Sequence, residues 1–248
     1  AQKGVFQEYE EDQAPALAPS YNATGEFWHR AWERKPIFFT VLATIAIAIG
    51  GAIEIIPTIL VESNVPTISS VKPYTPLELE GRDLYIKNGC VGCHSQMIRP
   101  FRFETERYGE YSKAGEFVYD RPFLWGSKRT GPDLHRVGGK YPDSWHYFHM
   151  QDPSSMSPGS LMPPYPWMTE NIMDYSDLPA KIRTLQKLGV PYPEGYDEKA
   201  MEDLDVQANR IVSNLKEAGV ETLPHTEIVA MIAYLQRLGT DIKATAEN

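Results

Sequence analysis

The chain contains the stretch Cys90-Val91-Gly92-Cys93-His94, in which two thiols lie three positions apart and an imidazole follows at once. At this spacing each thiol can add to one of the two vinyl groups of a single haem. The adjacent histidine can then offer a ring nitrogen to the iron, and Cys-x-x-Cys-His is the pattern of c-type haem attachment. The stretch therefore predicts one covalent haem c, bound through Cys90 and Cys93, with His94 as an axial ligand of the iron.

Other uses of a cysteine pair fit the sequence less well. A thioredoxin-like redox pair is expected in a βαβ context, and the sequence pattern does not predict one here. A zinc site would need further thiols or a histidine pair, but Cys90 and Cys93 are the only cysteines in the 248 residues. A pair that bridges two copper ions would need a different cysteine spacing and another histidine. Haem attachment is thus the favoured interpretation.

The composition is that of a globular protein with a net negative charge. Apolar residues make up 42% of the chain and charged residues 23%, which argues against both disorder and complete membrane embedding. The formal net charge of −9 argues against nucleic acid as a partner, because a phosphate backbone requires a surface rich in Lys and Arg. An acidic surface suits either docking to basic proteins or simple solubility.

One apolar run predicts a membrane anchor. Residues 37–53 contain no charged side chain, and the run continues past Glu54 to Val61. As a helix of about 25 residues it would span roughly 37 Å, slightly more than a hydrocarbon core of about 30 Å. A signal peptide would be shorter and closer to the N-terminus, and a buried helix of a soluble domain is seldom so uniformly apolar. We predict a single transmembrane helix over residues 36–61.

Charges around the anchor predict its orientation. Arg30, Arg34 and Lys35 precede it, whereas the next basic residue is Lys72, so the N-terminus is expected in the cytoplasm and the remainder in the periplasm. Glu54 lies inside the run, where an ionisable group is costly. It either faces another subunit within the membrane or lies close enough to the interface to be hydrated.

The periodicity of the rest of the chain predicts a mainly α fold. Residues 1–35 are expected to form a polar cytoplasmic tail, residues 62–76 a linker and residues 77–248 a periplasmic haem domain. Helical patterns begin at Leu77 and cover residues 179–188, 198–218 and 226–238, with mainly loop over residues 94–170. The helices between about 171 and 220 are expected to be an insertion in that domain.

The sixth ligand of the iron must come from another part of the chain. The candidates are Met97, Met150, Met156, Met162, Met168, Met173, His135, His146 and His149. Met162 stands out because Pro163 and Pro164 follow it, and consecutive prolines stiffen a loop that has to present sulfur to iron. We predict Met162 as the ligand, with Met156 and then the histidines as alternatives.

The domain resembles class I cytochromes c. Gly81 and Tyr85 provide a small and an aromatic side chain four positions apart, like the point at which the first and last helices of that class cross. Gly131-Pro132-Asp133-Leu134 resembles the loop whose proline carbonyl accepts a hydrogen bond from the ligand histidine. The resemblance implies that Pro132 fixes the tautomer and ring orientation of His94. The ligand methionine of that class stands in a similar Met-Pro setting.

Three longer strings resemble one family. They are Cys-Val-Gly-Cys-His-Ser-Gln-Met-Ile-Arg-Pro-Phe at residues 90–101, Asp-Arg-Pro-Phe-Leu-Trp-Gly-Ser-Lys-Arg-Thr-Gly-Pro-Asp-Leu at residues 120–134, and the stretch from Ser144 to Tyr165. Together they resemble the mono-haem cytochrome c subunit of cbb3-type cytochrome c oxidases over about residues 30–240.

The resemblance implies a relay in a bacterial inner membrane. Such a subunit passes electrons from a cytochrome c donor, often a di-haem subunit of the same complex, to a polytopic haem–copper subunit that reduces dioxygen and pumps protons. It would itself hold no catalytic residue, and the haem would carry the electron. Two alternatives are the haem c subunit of nitric-oxide reductase and a free-standing, membrane-tethered cytochrome shuttle.

Overall fold

The structure, a computed structural model, describes residues 28–61, 66–126 and 128–246, and over these residues the chain is mainly α-helical. No strand occurs among the described residues. The chain divides into two compact units, Ala1–Asn64 and Val65–Asn248. The prediction of a mainly α fold, with one long apolar helix followed by a helical domain, is confirmed.

The described part of the first unit, residues 28–61, contains two helices, α1 (Trp28–Glu33) and α2 (Pro36–Leu60). Pro36 stands in the first turn of α2, where a missing backbone N–H costs no hydrogen bond. Within the described ranges α2 is the one helix that is long and apolar enough to cross a membrane, and none of the residues in that span is buried. Residues 1–27 of the predicted polar tail lie outside the described residues. Helix α1 lies in the remaining part of that predicted tail, residues 28–35.

Helix α3 (Pro76–Lys87) opens the second unit with a capping box. The Thr75 hydroxyl accepts a hydrogen bond from the backbone N–H of Glu78 at 3.4 Å. The Glu78 carboxylate accepts one in return from the backbone N–H of Thr75 at 2.9 Å. The two bonds satisfy donors that the first turn of a helix otherwise leaves unpaired. The helix therefore begins at Pro76, the last residue of the predicted linker.

Seven further α-helices follow among the residues of the second unit that the structure describes. They are α4 (Arg102–Tyr108), α5 (Asp143–Gln151), α6 (Pro153–Met156), α7 (Leu178–Lys187), α8 (Tyr196–Glu217), α9 (Glu227–Arg237) and α10 (Thr240–Ala246). The predicted insertion contains α7 and α8. Helices α4, α5 and α6 were missed within the predicted loop region, and α10 was missed because Gly239 was expected to end the last helix. Gly239 does interrupt it, with a φ of 72°, but the chain becomes helical again directly afterwards.

The core forms around the crossing of α3 and α9, the most extensive contact between described helices. A Cβ at Gly81 would overlap the carbonyl group of Ala230 and the Cβ of Tyr234. Only glycine therefore permits this separation of the two backbones. One turn further along α3, the ring of Tyr85 packs on the ring of Tyr234 with centroids 5.4 Å apart. This crossing places the end of α3, and with it Cys90, against the core.

Candidate functional site

The Cys-x-x-Cys-His segment follows α3 almost at once. Gly89 adopts a left-handed conformation with a φ of 70°, and a short 3₁₀ turn over Cys90–Gly92 follows. The backbone N–H of His94 donates to the carbonyl of Cys90 at 2.9 Å. Both thiols are free, that of Cys90 half-buried and that of Cys93 exposed. The turn thus presents two thiols and one imidazole from a single short loop.

The environment of Cys90 differs from that of a redox-active cysteine. Burial raises the pKa of its thiol to about 11, and the side chain packs against the apolar core. Catalytic redox thiols have lowered pKa values that favour the thiolate. Cys90 is therefore neutral and apolar in its contacts, which disfavours the thioredoxin-like alternative and suits a cysteine held against a hydrophobic cofactor.

His94 is oriented by one hydrogen bond. Its Nδ1 atom lies 2.8 Å from the carbonyl oxygen of Pro132. Because a carbonyl can only accept, Nδ1 carries the hydrogen and the lone pair of Nε2 is left available for a metal. Burial lowers the pKa of the imidazole, so the ring stays neutral, which is the form that binds metals. The carbonyl of Pro132 thus orients the ring of His94, and its role beside a bound haem stays a prediction.

The loop that carries Pro132 is bonded to both sides of His94. The backbone N–H of Gly131 donates to the carbonyl of Cys93 at 3.0 Å, and that of Leu134 donates to the carbonyl of Ser95 at 2.9 Å. A Cβ at Gly131 would overlap the imidazole of His94. The loop can approach the ring this closely because position 131 has no side chain.

Met162 packs against the same hydrophobic core as Cys90. It belongs to the half-buried side chains that pack against the core, together with Cys90, Leu134 and Tyr165. Met156 is not in this set among the described side chains. The loop after Met162 is tied to α5, since the backbone N–H of Tyr165 donates to the carbonyl of Met150 at 2.7 Å. These contacts favour Met162 over Met156, and its role as the ligand stays a prediction.

The three candidate histidines differ in their availability. His135 is engaged, since its ring contacts the Ser112 hydroxyl at Nδ1 and Glu116 at Nε2. His146 Nε2 and His149 Nδ1 are buried without a hydrogen-bond partner. Burial lowers the pKa of His149, and the proximity of His94 lowers it further. Of the three, His149 is the one whose pKa is affected by the charge of His94.

Helix α5 also contributes to a stack of aromatic rings that the sequence pattern did not predict. The ring of Trp145 stacks on Tyr141 at 4.0 Å and on His149 at 4.4 Å, with interplanar angles of 14° and 13°. The signal for α5 was the run Asp143–Gln151, nine residues without Gly or Pro. Its aromatic content masked the helical periodicity, because aromatic residues on both faces blur an amphipathic pattern.

These residues fit a haem. One short loop presents two free thiols and a neutral imidazole, half-buried apolar side chains pack against the same core as Cys90, and His149 has a buried ring nitrogen that lacks a partner. Buried polar atoms in folded proteins are normally hydrogen-bonded, so the unpaired nitrogen fits a bound polar group beside the site. Within the described ranges, no three His, Cys, Asp or Glu side chains come together as ligands for a bare metal ion.

A helical domain with one Cys-x-x-Cys-His segment, placed at the crossing of its first and last long helices, defines a haem-binding protein of the cytochrome class. A family model described as cytochrome C oxidase, mono-heme subunit/FixO matches residues 29–242. The chain belongs to this family, as the three longer strings predicted, and is thus a mono-haem subunit of a cytochrome oxidase complex. Among curated proteins, none matches the chain.

Proposed function

We propose that this chain is the electron-transfer subunit of a cbb3-type cytochrome c oxidase. It receives electrons from a cytochrome c donor, either a di-haem subunit or a soluble protein, and delivers them to the haems of a polytopic haem–copper subunit. The observation that carries the proposal is the family match over residues 29–242, which includes the segment Cys90–His94. Dioxygen reduction and proton pumping belong to the partner subunit.

Each residue of the site has a separate task in this proposal. Cys90 and Cys93 hold one haem c through thioether bonds, so that the cofactor cannot dissociate. His94 would hold the iron through Nε2, and Pro132 keeps the ring in the orientation that leaves Nε2 available. Met162 would be the second side chain to hold the iron. The haem supplies one-electron exchange, and His/Met ligation sets it at the high potential that suits delivery to an oxidase.

Exposed apolar side chains next to the site support close approach by a partner. Phe123 and Trp125 are exposed and stack with ring centroids 4.7 Å apart. The carbonyl of Trp125 accepts a hydrogen bond from the backbone N–H of Gln96 at 2.9 Å, which places this pair beside the cysteine segment. Leu161, next to Met162, is 87% exposed. Apolar surface of this kind is typical of interaction sites, and a subunit that exchanges electrons requires one.

The membrane location follows from α2 and its flanking charges. We place α2 across the bacterial inner membrane, with the N-terminus in the cytoplasm and the haem domain in the periplasm, because Arg30, Arg34 and Lys35 lie at its N-terminal end. The anchor keeps the haem domain beside the catalytic subunit. Delivery of electrons then does not depend on three-dimensional diffusion of this subunit.

Purification of the complex through a tag on this chain tests the proposal. We expect co-purification of a polytopic haem-b subunit, a haem-stained band for this chain after denaturing electrophoresis, and dioxygen consumption with reduced cytochrome c. Turnover of nitric oxide without dioxygen consumption would favour a reductase instead. Isolation of the chain without any haem-b subunit would favour a free-standing shuttle.

A further inference from the structure

A buried ionic cluster lies beside the bond between His94 and Pro132. This Asp133 cluster consists of Ser95, Glu104, Arg129 and Asp133. The side chain of Asp133 is 0% exposed and that of Glu104 is 1% exposed. Charges this deeply buried are costly unless every one of them is paired and hydrogen-bonded.

The Asp133 carboxylate joins the two chain segments that meet at the bond. Its Oδ2 atom accepts hydrogen bonds from the Ser95 hydroxyl at 2.6 Å and from the backbone N–H of Met97 at 2.9 Å. Ser95 and Met97 lie just after His94, and Asp133 lies just after Pro132. One carboxylate therefore holds together the segments that carry the donor and the acceptor of the imidazole hydrogen bond.

Arg129 makes a second connection between the same segments. Its Nε atom donates to the Ser95 hydroxyl at 2.6 Å, and its Nη2 atom donates to the carbonyl of Met97 at 2.7 Å. Arg129 stands two residues before Gly131, on the loop that carries Pro132. The planar guanidinium fixes the direction of its donors, so the connection is rigid.

Glu104, from α4, completes the cluster. Its Oε2 atom accepts from Arg129 Nη2 at 2.8 Å and from the backbone N–H of Arg99 at 2.8 Å. The guanidinium of Arg99 also contacts the Glu104 carboxylate. The carboxylates of Glu104 and Asp133 are thus matched by the guanidinium groups of Arg129 and Arg99. Loss of one of these charged side chains leaves a buried charge uncompensated.

We propose that the Asp133 cluster is a set of positioning residues that fixes the hydrogen bond from His94 Nδ1 to the carbonyl of Pro132, and thereby tunes how strongly His94 donates to iron. The inference rests on the proposed function, because it requires the haem. None of the hydrogen bonds described for these four residues goes to Cys90, Cys93 or His94 Nε2. The cluster acts through the backbone on both sides of the imidazole.

Loss of a contact in the Asp133 cluster is expected to raise the reduction potential of the haem. A weaker Nδ1–H···O bond makes the imidazole a poorer electron donor, so ferric iron is stabilised less and the reduction potential rises. Ser95→Ala removes a neutral hydroxyl, so any rise in that variant comes from positioning and not from a change of charge. Asp133→Asn should raise the potential further, because a buried negative charge is also removed.

The test uses the full-length, haem-loaded chain in detergent. Hydrogen exchange of the His94 Nδ1–H, followed by NMR, should become roughly tenfold faster in Ser95→Ala, the size expected for the loss of about one hydrogen bond. Ser95→Thr retains the hydroxyl and should restore slow exchange. The matched control is Glu80→Gln. Glu80 is equally buried, with 2% exposure, but pairs with Lys181 at 2.9 Å on a different helix.

The outcomes separate this inference from the proposed function. Faster exchange and a higher potential in Ser95→Ala and Asp133→Asn, with neither change in Glu80→Gln, support the positioning role. If the Ser95→Ala variant binds haem but exchanges at the wild-type rate and keeps the wild-type potential, the inference is overturned while the function stands. A wild-type chain without covalent haem overturns both.

Discussion

The imidazole of His94 lies directly over Gly131, with no room between them for a single methyl group. A Cβ at position 131 would overlap three ring atoms of His94. The carbonyl of the next residue, Pro132, accepts a hydrogen bond from Nδ1 of the same ring. The loop therefore supports and orients His94, and the imidazole leaves no space for a side chain at position 131.

Gly131→Ala should displace His94 without affecting the thiols. We expect the haem to remain covalently attached, the imidazole–iron bond to weaken, and unfolding to become easier by about 1–3 kcal/mol, the usual cost of forcing an added methyl group into a filled site. Visible absorption and thermal unfolding measure these effects. Gly92→Ala is the control, since a Cβ there would meet no protein atom within 4 Å. Equal behaviour of the two variants would contradict the close contact.

Cys90→Ser and Cys93→Ser should each impair covalent haem attachment and lower the melting temperature of the haem domain. The physical reason is the loss of a thioether bond to a group that contacts the core. Haem staining after denaturing electrophoresis, together with thermal unfolding, measures both effects. Val91→Ala, between the two cysteines, keeps both thiols and should stain normally. Normal staining and melting in both serine variants would disprove attachment at these positions.

Met162→Ala should leave the haem attached but change its axial ligation. The ferric protein should lose the weak long-wavelength absorption of sulfur bound to iron, and the potential should fall as water, histidine or an amine replaces sulfur. Met156→Ala, six residues earlier, should change neither property. If Met156→Ala abolishes the band and Met162→Ala keeps it, Met156 is the ligand. If neither matters, His149 becomes the first histidine to replace, because it is close enough to His94 for the charge of His94 to lower its pKa.

Glu104 should make stability depend on pH in the acid range. Its contacts with Arg129 and Arg99 hold the pKa of the carboxyl at about 2, below the unfolded value of about 4.3. At pH values above the unfolded pKa, this carboxylate therefore contributes on the order of 3 kcal/mol to the free energy of unfolding. The contribution is lost as the pH falls towards 2. The measurement is the free energy of unfolding against pH.

The difference between wild type and Glu104→Gln isolates this contribution. The subtraction is needed because burial raises the pKa of Glu78, Glu80 and Asp120, which favours the folded state at low pH and so acts in the opposite direction. A difference that stays constant between pH 6 and about pH 2 would contradict the lowered pKa of Glu104.

Glu54→Leu should reduce assembly with the catalytic subunit. Glu54 is exposed on α2 in this chain, and a carboxylate within the membrane normally faces protein or water. We expect less haem-b subunit to co-purify with the variant. Thr44→Leu, another polar position of α2, serves as the control. Unchanged assembly and turnover in Glu54→Leu would favour the alternative of a hydrated carboxylate near the interface.

Much of the fold could be predicted because its signals are local. The length and uniformly apolar character of residues 37–53 predicted α2, and apolar spacing predicted α7, α8 and α9 close to their observed bounds. Helix α5 was missed since its apolar residues do not form one stripe. Helix α10 was missed because a left-handed glycine can separate two helices as well as end one.

For the site, the sequence by itself determined the chemistry. Cys90, Cys93 and His94 are neighbours along the chain, so their spacing alone predicts haem attachment before any folding is considered. Only the tertiary structure decided what surrounds the imidazole. Asp133 lies 38 residues from Ser95 in sequence, yet their side chains are 2.6 Å apart. Such pairs depend on how distant segments pack, and a single sequence carries no direct signal of which buried charges will meet.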